Sequence, residues 1–430
     1  MTGAWSLVAS LSLVLLLSGL VLKNAALLAM ALPYLVFALT PFWRNWPKTD
    51  WRVQRELDPD HLEGGQPSQI KVSVVNTGES LEEVCITDAI PCGVEVEGSH
   101  EYFGEFRGGQ VETLQYTVRG VRGKYEFPGV SASVGDLLGL SRKEEFFPCS
   151  KTLAVLPAVA RLEKIKISPR RTRVFAGVIR SRESGAGVEF FGTRAYVPGD
   201  PLRHLNWKAG ARWDLLITNL FEQERIADVG IIVDARSIME LRYGKDSLFE
   251  HSVRAAASLA QYFLGEGNRV GLLVYGNYIE WTFPGYGKKQ RARIMAALAG
   301  AKLGEHAVFK ELEHLPTRLF PPESQVVVIS PLRGEDVRPL RYLRALGYRV
   351  LIISPDQIAF EKRLFPQDRF QELAERIARK ERDLTLAKLR RSGVEVVEWD
   401  IAEALGLALK RTVWEKRRRW FFGDGGRRRF

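Results

Sequence analysis

The chain has 430 residues, of which 46% are hydrophobic and 26% are charged. This length exceeds one ordinary domain, and this composition excludes a chain that stays disordered. The formal net charge is +11, and residues 410–430 carry much of it, with nine Lys and Arg against two carboxylates. The three cysteines, Cys85, Cys92 and Cys149, show no metal-ligand spacing, so a disulfide framework is not expected.

Residues 1–46 contain two uncharged apolar runs, Ala4–Leu22 and Ala25–Trp43, separated by Lys23 and Asn24. Each run is about long enough to cross the roughly 30 Å hydrocarbon core of a bilayer as a helix. We therefore predict two transmembrane helices, which would make the chain a multi-pass protein of the cell membrane. A cleaved signal peptide is the alternative, but the first residues, MTGAW, lack a basic region and a second apolar run follows at once.

Aromatic and basic side chains follow the second apolar run. Trp46 and Trp51 fit an interfacial aromatic belt, and Arg44 and Lys48 lie beside them. Positive charge on this flank predicts that the bulk of the chain is cytoplasmic. The alternative is that these tryptophans belong to the core of the next domain.

Residues 51–157 consist of short runs in which apolar and polar residues alternate, such as QIKVSVVN and VETLQYTV. Turn signals such as Asn-Thr-Gly and Phe-Pro-Gly separate the runs. This pattern predicts an all-β, immunoglobulin-like sandwich. We expect it to serve as a spacer or interaction module, although ligand binding stays open.

Residues 158–226 begin with a basic connector that has five arginines between Arg170 and Arg182 but only Phe175 as an aromatic. Nucleic-acid binding is therefore not expected, because single strands stack on several aromatic side chains. A solvated or lipid-facing linker is the preferred interpretation.

Residues 227–409 alternate strands and helices. The run DVGIIVDA is apolar throughout, as in a strand buried on both faces, and a helical pattern follows it. Six such strands predict an α/β, doubly wound sheet that is parallel except for its third strand, which follows the second through a tight turn. This order resembles a von Willebrand factor A domain.

The segment GVEFFGTRAYVPGDPLRHLNWKAGAR resembles the signature of the family called domain of unknown function 58. The matching residues are Glu189, Phe190, Arg194, Tyr196, Pro198, Gly199, Asp200, Arg203, Asn206, Trp207, Lys208, Ala211 and Arg212, followed by the FEQER segment from Phe221. The resemblance implies a membrane hairpin, a β domain and an intact or degenerate A domain, and so covers nearly the whole chain. It also implies a MoxR-type AAA+ ATPase as the partner.

The loop after the first strand of the α/β domain is where a cation site would be expected. An A domain binds a divalent cation through an Asp-x-Ser-x-Ser loop. Here Asp234 is present, but Arg236 and Ile238 replace both serines, and Pro331 stands where a further Asp would follow the fourth strand. We therefore predict no metal and no cofactor: the site at Asp234 is degenerate, and this carboxylate either caps the next helix or is held by Arg236. A magnesium-dependent A domain is the alternative.

No sequence motif indicates catalysis. The six histidines accompany no nucleophile motif, and the glycine strings GEGNRVG and GDGG lack the Lys-Ser/Thr of a phosphate loop. The chain is therefore expected not to be an enzyme, and an uncharacterised enzyme is the third alternative.

The signature segment has two interpretations. In the first, its arginines and carboxylates form an internal network against which Trp207 packs. In the second, its side chains stay exposed and bind a partner, because Trp and Arg dominate interface hot spots. The candidate partner-binding residues are Arg194, Tyr196, Asp200, Arg203, Trp207 and Arg212.

The tail, residues 410–430, interleaves arginines with aromatic residues. This composition suits an anionic membrane surface, while a disordered tail, an acidic partner and nucleic acid are alternatives. The candidate lipid-surface residues are Trp414, Arg417, Arg418, Arg419 and Trp420. The whole chain is thus predicted to be a non-catalytic, membrane-anchored scaffold that binds a protein partner and membrane lipid.

Overall fold

The computed structural model describes residues 3–43, 49–63, 65–135, 142–162, 173–243, 246–276, 279–304, 319–363 and 369–411. Two compact units divide the chain, Met1–Leu156 and Pro157–Phe430. Each unit has a hydrophobic core of its own. The candidate lipid-surface residues of the tail lie outside the described residues, so their role stays a prediction.

Two helices open the first unit, α1 (Gly3–Val21) and α2 (Ala25–Trp43), with 19 residues each. In the described part of the chain, no helix is both long and apolar enough to cross a membrane. The prediction of two transmembrane helices at residues 1–46, and with it the cell-membrane location, is therefore wrong.

The rest of the first unit is all-β, in agreement with the alternation of its sequence, and it forms two sheets. The strands are β1 (Trp51–Asp58), β2 (His61–Glu63), β3 (Ser68–Asn76), β4 (Leu81–Asp88), β5 (Val94–Gly98), β6 (Glu101–Phe106), β7 (Val111–Gly120), β8 (Gly123–Gly135) and β9 (Arg142–Leu156). One sheet has the order β1-β3-β7-β5 and the other β2-β9-β8-β4-β6. Alternate side chains of β3 are buried, as expected for a strand with one face on a core.

Trp51 is part of this core and not of an interfacial belt. Its indole stacks on Phe147 and meets Phe106 edge-on, with ring centroids 5.2 Å apart in both pairs. The same core encloses Arg55, which forms a buried ion pair with Asp88. The alternative interpretation, that a tryptophan here belongs to the next domain, thus holds for Trp51.

The second unit begins with an antiparallel ribbon and a short helix. Strand β10 (Arg173–Ala195) pairs with β11 (Ile217–Ile226), and irregularities shift the register four times. Between them lie a 3₁₀ turn (Leu202–His204) and the helix α3 (Trp207–Trp213). The basic connector predicted from the sequence is therefore a strand from Arg173 onward.

A six-stranded sheet forms the centre of the second unit. Its strands are β12 (Asp228–Ala235), β15 (Arg269–Gly276), β16 (Ile279–Gly285), β17 (Gln325–Ile329), β18 (Arg349–Pro355) and β19 (Glu395–Trp399), while β13 (Arg242–Tyr243) and β14 (Asp246–Ser247) form a small separate pair. The order is β16-β15-β12-β17-β18-β19, and only β16 runs antiparallel to its neighbour. This is the arrangement expected from the sequence, including the reversed third strand.

Helices connect these strands. They are α4 (Leu248–Gly265), α5 (Gly287–Gly300), α6 (Val337–Ala345), α7 (Gln357–Glu361) and α8 (Arg369–Arg391). Ser247 caps α4 by accepting a hydrogen bond from the amide of Glu250. Strand β12 is buried at every residue, as the central strand of a sheet covered on both faces must be.

Candidate partner-binding site

The carboxyl edge of the sheet holds a buried cluster of polar side chains. Asp234 lies near the end of β12, and Ser330 follows β17, its neighbour in the sheet. The hydroxyl of Ser330 donates a 2.7 Å hydrogen bond to Oδ2 of Asp234. Parallel strands end at the same edge, which explains why residues 96 positions apart meet here.

Arg236 completes this cluster. Its Nη2 lies 2.7 Å from Oδ2 of Asp234 and 3.0 Å from Oδ2 of Asp336, and its Nη1 lies 2.9 Å from Oδ1 of Asp336. The three side chains are at most 5% exposed. Burial alone lowers the pKa of the guanidinium, but Asp234 and Asp336 outweigh burial and raise the pKa above its ordinary value.

The guanidinium of Arg236 thus lies between two carboxylates at the carboxyl edge of the sheet. The predicted pairing of Arg236 with Asp234 is confirmed. The sequence analysis does not identify Asp336. It considers Pro331, which lies five residues earlier, and Asp336 comes close to Arg236 only when the chain is folded. Within the described ranges, no group of three or more His, Cys, Asp or Glu side chains is arranged to hold a metal ion.

The signature segment contains the predicted turn. The amide of Asp200 donates to the carbonyl of Val197 at 3.0 Å, and Gly199 between them has φ of +109°. With Pro198 before it, this is the geometry of a type II turn, which requires a residue that tolerates positive φ. Oδ2 of Asp200 accepts from the Val197 amide at 3.0 Å, so the carboxylate braces its own turn.

One arginine of the segment joins this turn. Nη2 of Arg194 donates to Oδ1 of Asp200 at 2.7 Å, and the hydroxyl of Thr218 donates to Oδ2 at 3.3 Å. The bond from Arg194 and then the bond from the Val197 amide lower the pKa of the Asp200 carboxyl. Arg194 and Asp200, both predicted site residues, therefore support the turn.

Helix α3 is fixed at its start. The side chain of Asn206 accepts a 2.9 Å hydrogen bond from the Ala209 amide, which caps the helix, and donates a 2.8 Å bond to Asn219 of β11. A side chain at Gly210 would come within 3.1 Å of the Leu215 carbonyl, so the chain leaving α3 passes close to the helix. These contacts hold α3 against the ribbon although the helix has only seven residues.

Large apolar side chains are exposed on α3 and in the chain segments before and after it. Trp207 and Trp213, at the two ends of the helix, are each 69% exposed. More than half of each of the following side chains is also exposed: Phe190, Val197, Leu202, Leu215 and Leu216. Arg203, Lys208 and Arg212 are exposed among them. We call these ten residues the α3 surface.

The exposure of these side chains distinguishes between the two interpretations of the signature segment. Trp207 does not pack against an internal network, which removes one element of the structural interpretation. Tyr196 is half-buried, and its amide donates to the Leu216 carbonyl. The side chains of Glu189, Glu222 and Glu224 lie outside the described part of the chain, so their predicted pairing with the basic residues stays a prediction.

The chain resembles a curated protein that is itself uncharacterized. The chain is 26% identical over 260 residues to the uncharacterized protein YeaD of Bacillus subtilis, a match that covers 56% of this chain and 62% of YeaD. The chain thus spans less than two thirds of the length of that relative. YeaD is itself uncharacterized and assigns no activity to this chain.

Two solved structures resemble parts of the chain weakly. The CARDB domain of the PF1109 protein from Pyrococcus furiosus is 15% identical, covers 26% of this chain and 97% of its own, and has a TM-score of 0.19. An uncharacterized membrane spanning protein from Vibrio fischeri is 12% identical, covers 44% of this chain and 98% of its own, and has a TM-score of 0.17. Scores this low support no inference about fold or function.

A family match covers the segment that carries nine of the ten residues of the α3 surface, all but Phe190. It begins within β10, includes α3 and five strands of the large sheet (β12, β15, β16, β17 and β18), and ends after α7. Residues 192–364 of this chain match the family described as "Protein of unknown function DUF58".

Proposed function

We propose that the chain is a non-catalytic adaptor that binds a protein partner through the α3 surface. The observation that carries the proposal is the exposure of Trp207 and Trp213 beside three basic side chains. Large exposed apolar patches on a folded domain mark interaction sites, and Trp and Arg contribute most to interface energies. The capped helix and the braced turn hold these side chains in a fixed arrangement before the partner arrives, which reduces the entropy lost on binding.

The chemistry of the α3 surface specifies the partner. Arg203, Lys208 and Arg212 are basic, and Asp214 at the end of α3 is the acidic side chain beside them. A complementary partner presents acidic side chains around an apolar pocket that receives an indole. We propose an AAA+ ATPase of the MoxR type, the partner class that the sequence resemblance implies.

The α/β domain supports a metal-independent mode of binding. We propose a von Willebrand factor A-like fold for this domain, and its strand order with the reversed third strand supports that proposal. In this class a cation commonly completes the ligand contact. Here Arg236 lies between Asp234 and Asp336, so we expect partner binding to proceed without magnesium.

Affinity capture of the full chain with a MoxR-type ATPase tests the proposal. We compare wild type with Trp207→Ala/Arg212→Ala, with and without a chelator, and include Trp281→Ala/Arg293→Ala as the matched control. Trp281 and Arg293 are also exposed and lie in β16 and α5, so the control removes the same side-chain types from another surface. Circular dichroism confirms that each variant is folded.

The expected result is capture by wild type and by the control in both buffers, and loss of capture by Trp207→Ala/Arg212→Ala. Equal capture by all three proteins contradicts the assignment of the α3 surface. Capture that the chelator abolishes, and that Asp234→Ala also abolishes, supports the magnesium-dependent alternative instead.

A further inference from the structure

A basic cavity lies between the C-terminal parts of α6 and α8, at the edge of the sheet opposite Asp234. Helix α6 ends just before β18 begins, and α8 ends just before β19 begins, so this edge is the amino edge of both strands. The cavity has a volume of about 630 Å³ and is lined by Arg341, Arg344, Ala345, Lys388, Arg391 and Ser392. Four of the six lining residues are cations, and none is a carboxylate.

The four cations differ from their neighbours in how they are paired. Arg390, next in sequence to Arg391, binds Glu398, and Arg349 binds Glu395 at 2.9 Å. The cavity cations form no ion pair with any carboxylate in the described part of the chain. Like charges that share a cavity repel one another, and an anion that enters relieves this repulsion.

The position of Arg344 depends on the glycine that follows α8. A Cβ at Gly393 would lie 2.0 Å from Nη1 of Arg344, so the guanidinium occupies space that any other residue would fill. Gly393 also has φ of +73°, which favours glycine. The turn after α8 therefore makes room for a guanidinium at the wall of the cavity.

The helix dipole explains only part of the clustering of these four cations. Cations in the last turn of a helix are stabilised by its dipole, and Arg344, Lys388 and Arg391 occupy such positions. Arg341 lies further from the end of α6, and the dipole does not explain why cations of two helices line one cavity. The hydroxyl of Ser392 donates to the Lys388 carbonyl at 3.0 Å, which leaves the basic groups as the donors directed to a ligand.

We infer that this cavity binds a small molecule that carries a diphosphate group. Two linked phosphates carry more negative charge than a single phosphate, which suits a cluster of four cations. Guanidinium groups bind phosphate oxygens through paired N–H donors. The site is open to solvent, with Arg341, Lys388 and Arg391 exposed, so a small anion can reach the cations from outside. This inference is independent of the α3 surface.

Isothermal titration calorimetry on the full chain tests the inference with three probes: pyrophosphate, ADP and inorganic phosphate. The test variant is Arg341→Gln/Arg391→Gln. The matched control is Arg376→Gln/Lys380→Gln, which removes the same charge from exposed positions of α8 outside the cavity. Circular dichroism and thermal unfolding establish that both variants keep the fold.

We expect pyrophosphate and ADP to bind one per chain and more tightly than inorganic phosphate. The test variant should weaken binding by about tenfold or more for each guanidinium lost, while the control binds as wild type does. Equal affinity for pyrophosphate and ADP indicates a site for the diphosphate alone, and tighter ADP binding indicates a nucleotide; both support the inference. No binding of pyrophosphate and ADP to wild type, or equal weakening in both variants, overturns it.

Discussion

Arg236 holds two buried carboxylates together at the carboxyl edge of the sheet. Its guanidinium supplies the positive charge there and binds both Asp234 and Asp336. Its five N–H donors in a rigid fork suit two carboxylates better than a lysine would. The cluster is therefore an internal brace between the loops that follow β12 and β17.

Arg236→Ala should lower the free energy of unfolding by about 3–5 kcal/mol, because it leaves two buried carboxylates without their cation. Urea denaturation at pH 7 measures this difference. Arg376→Ala, at an exposed position of α8, is the control and should change stability by less than about 0.5 kcal/mol. If Arg236→Ala loses as little stability as Arg376→Ala, the cluster does not brace the sheet.

The Asp200 carboxyl gives a second test at a single residue. Its pKa is lowered first by the bond from Arg194, so Arg194→Ala should raise that pKa toward the ordinary value of about 3.9. A group with a depressed folded pKa stabilises the fold above its unfolded pKa, and this contribution disappears as the pH falls through the folded pKa. The turn should therefore loosen only in acid, below about pH 4.

Carbon-detected NMR of the Asp200 carboxyl measures this titration. Arg203→Ala, in the same segment, serves as the control and should leave the pKa of Asp200 low. An unchanged pKa in Arg194→Ala would mean that the arginine does not support the turn in solution.

Helix α3 depends on its neighbours, because a helix of seven residues is unstable alone. The cap and the bond to Asn219 both come from Asn206, and the ribbon of β10 and β11 supplies the platform. Loss of this one side chain should therefore release the helix and with it the fixed positions of Trp207 and Trp213.

Asn206→Ala should cost about 0.5–2 kcal/mol of local stability, the usual cost of removing a helix cap. Hydrogen exchange at the amides of Ala209 and Gly210 measures this loss as faster exchange, while amides of the buried strand β12 remain protected. Asn206→Asp keeps a capping oxygen and should exchange more slowly than Asn206→Ala. Equal exchange in wild type and Asn206→Ala would show that the cap does not hold α3.

The molecule as a whole shows which features a single sequence reveals. The large sheet was predictable, because strands such as β12 are apolar at nearly every residue and helical patterns separate them. Arg236 was predictable as a partner of Asp234 because the two residues are close in sequence. The position of Asp336 was not, since its distance from Arg236 depends on the packing of two loops 100 residues apart.

Other features were wrong or invisible for equally specific reasons. The two uncharged apolar runs at residues 1–46 led to the wrong prediction of two transmembrane helices, since no helix in the described part of the chain is both long and apolar enough to cross a membrane. The strand β10 was interpreted as a connector, since a two-stranded ribbon with repeated register shifts does not alternate apolar and polar residues regularly. The exposure of Trp207 could not be predicted, because a tryptophan is equally compatible with a core and with an interface.

Site-specific photo-crosslinking determines whether Trp207 contacts the proposed protein partner. A photoreactive benzoylphenylalanine is incorporated at position 207 of the full chain, and in a separate protein at position 281, which is also exposed. After irradiation with a MoxR-type ATPase present, our account predicts a covalent adduct from position 207 and none from position 281. An adduct from position 281 alone, or from neither position while the proteins still co-purify, would contradict it.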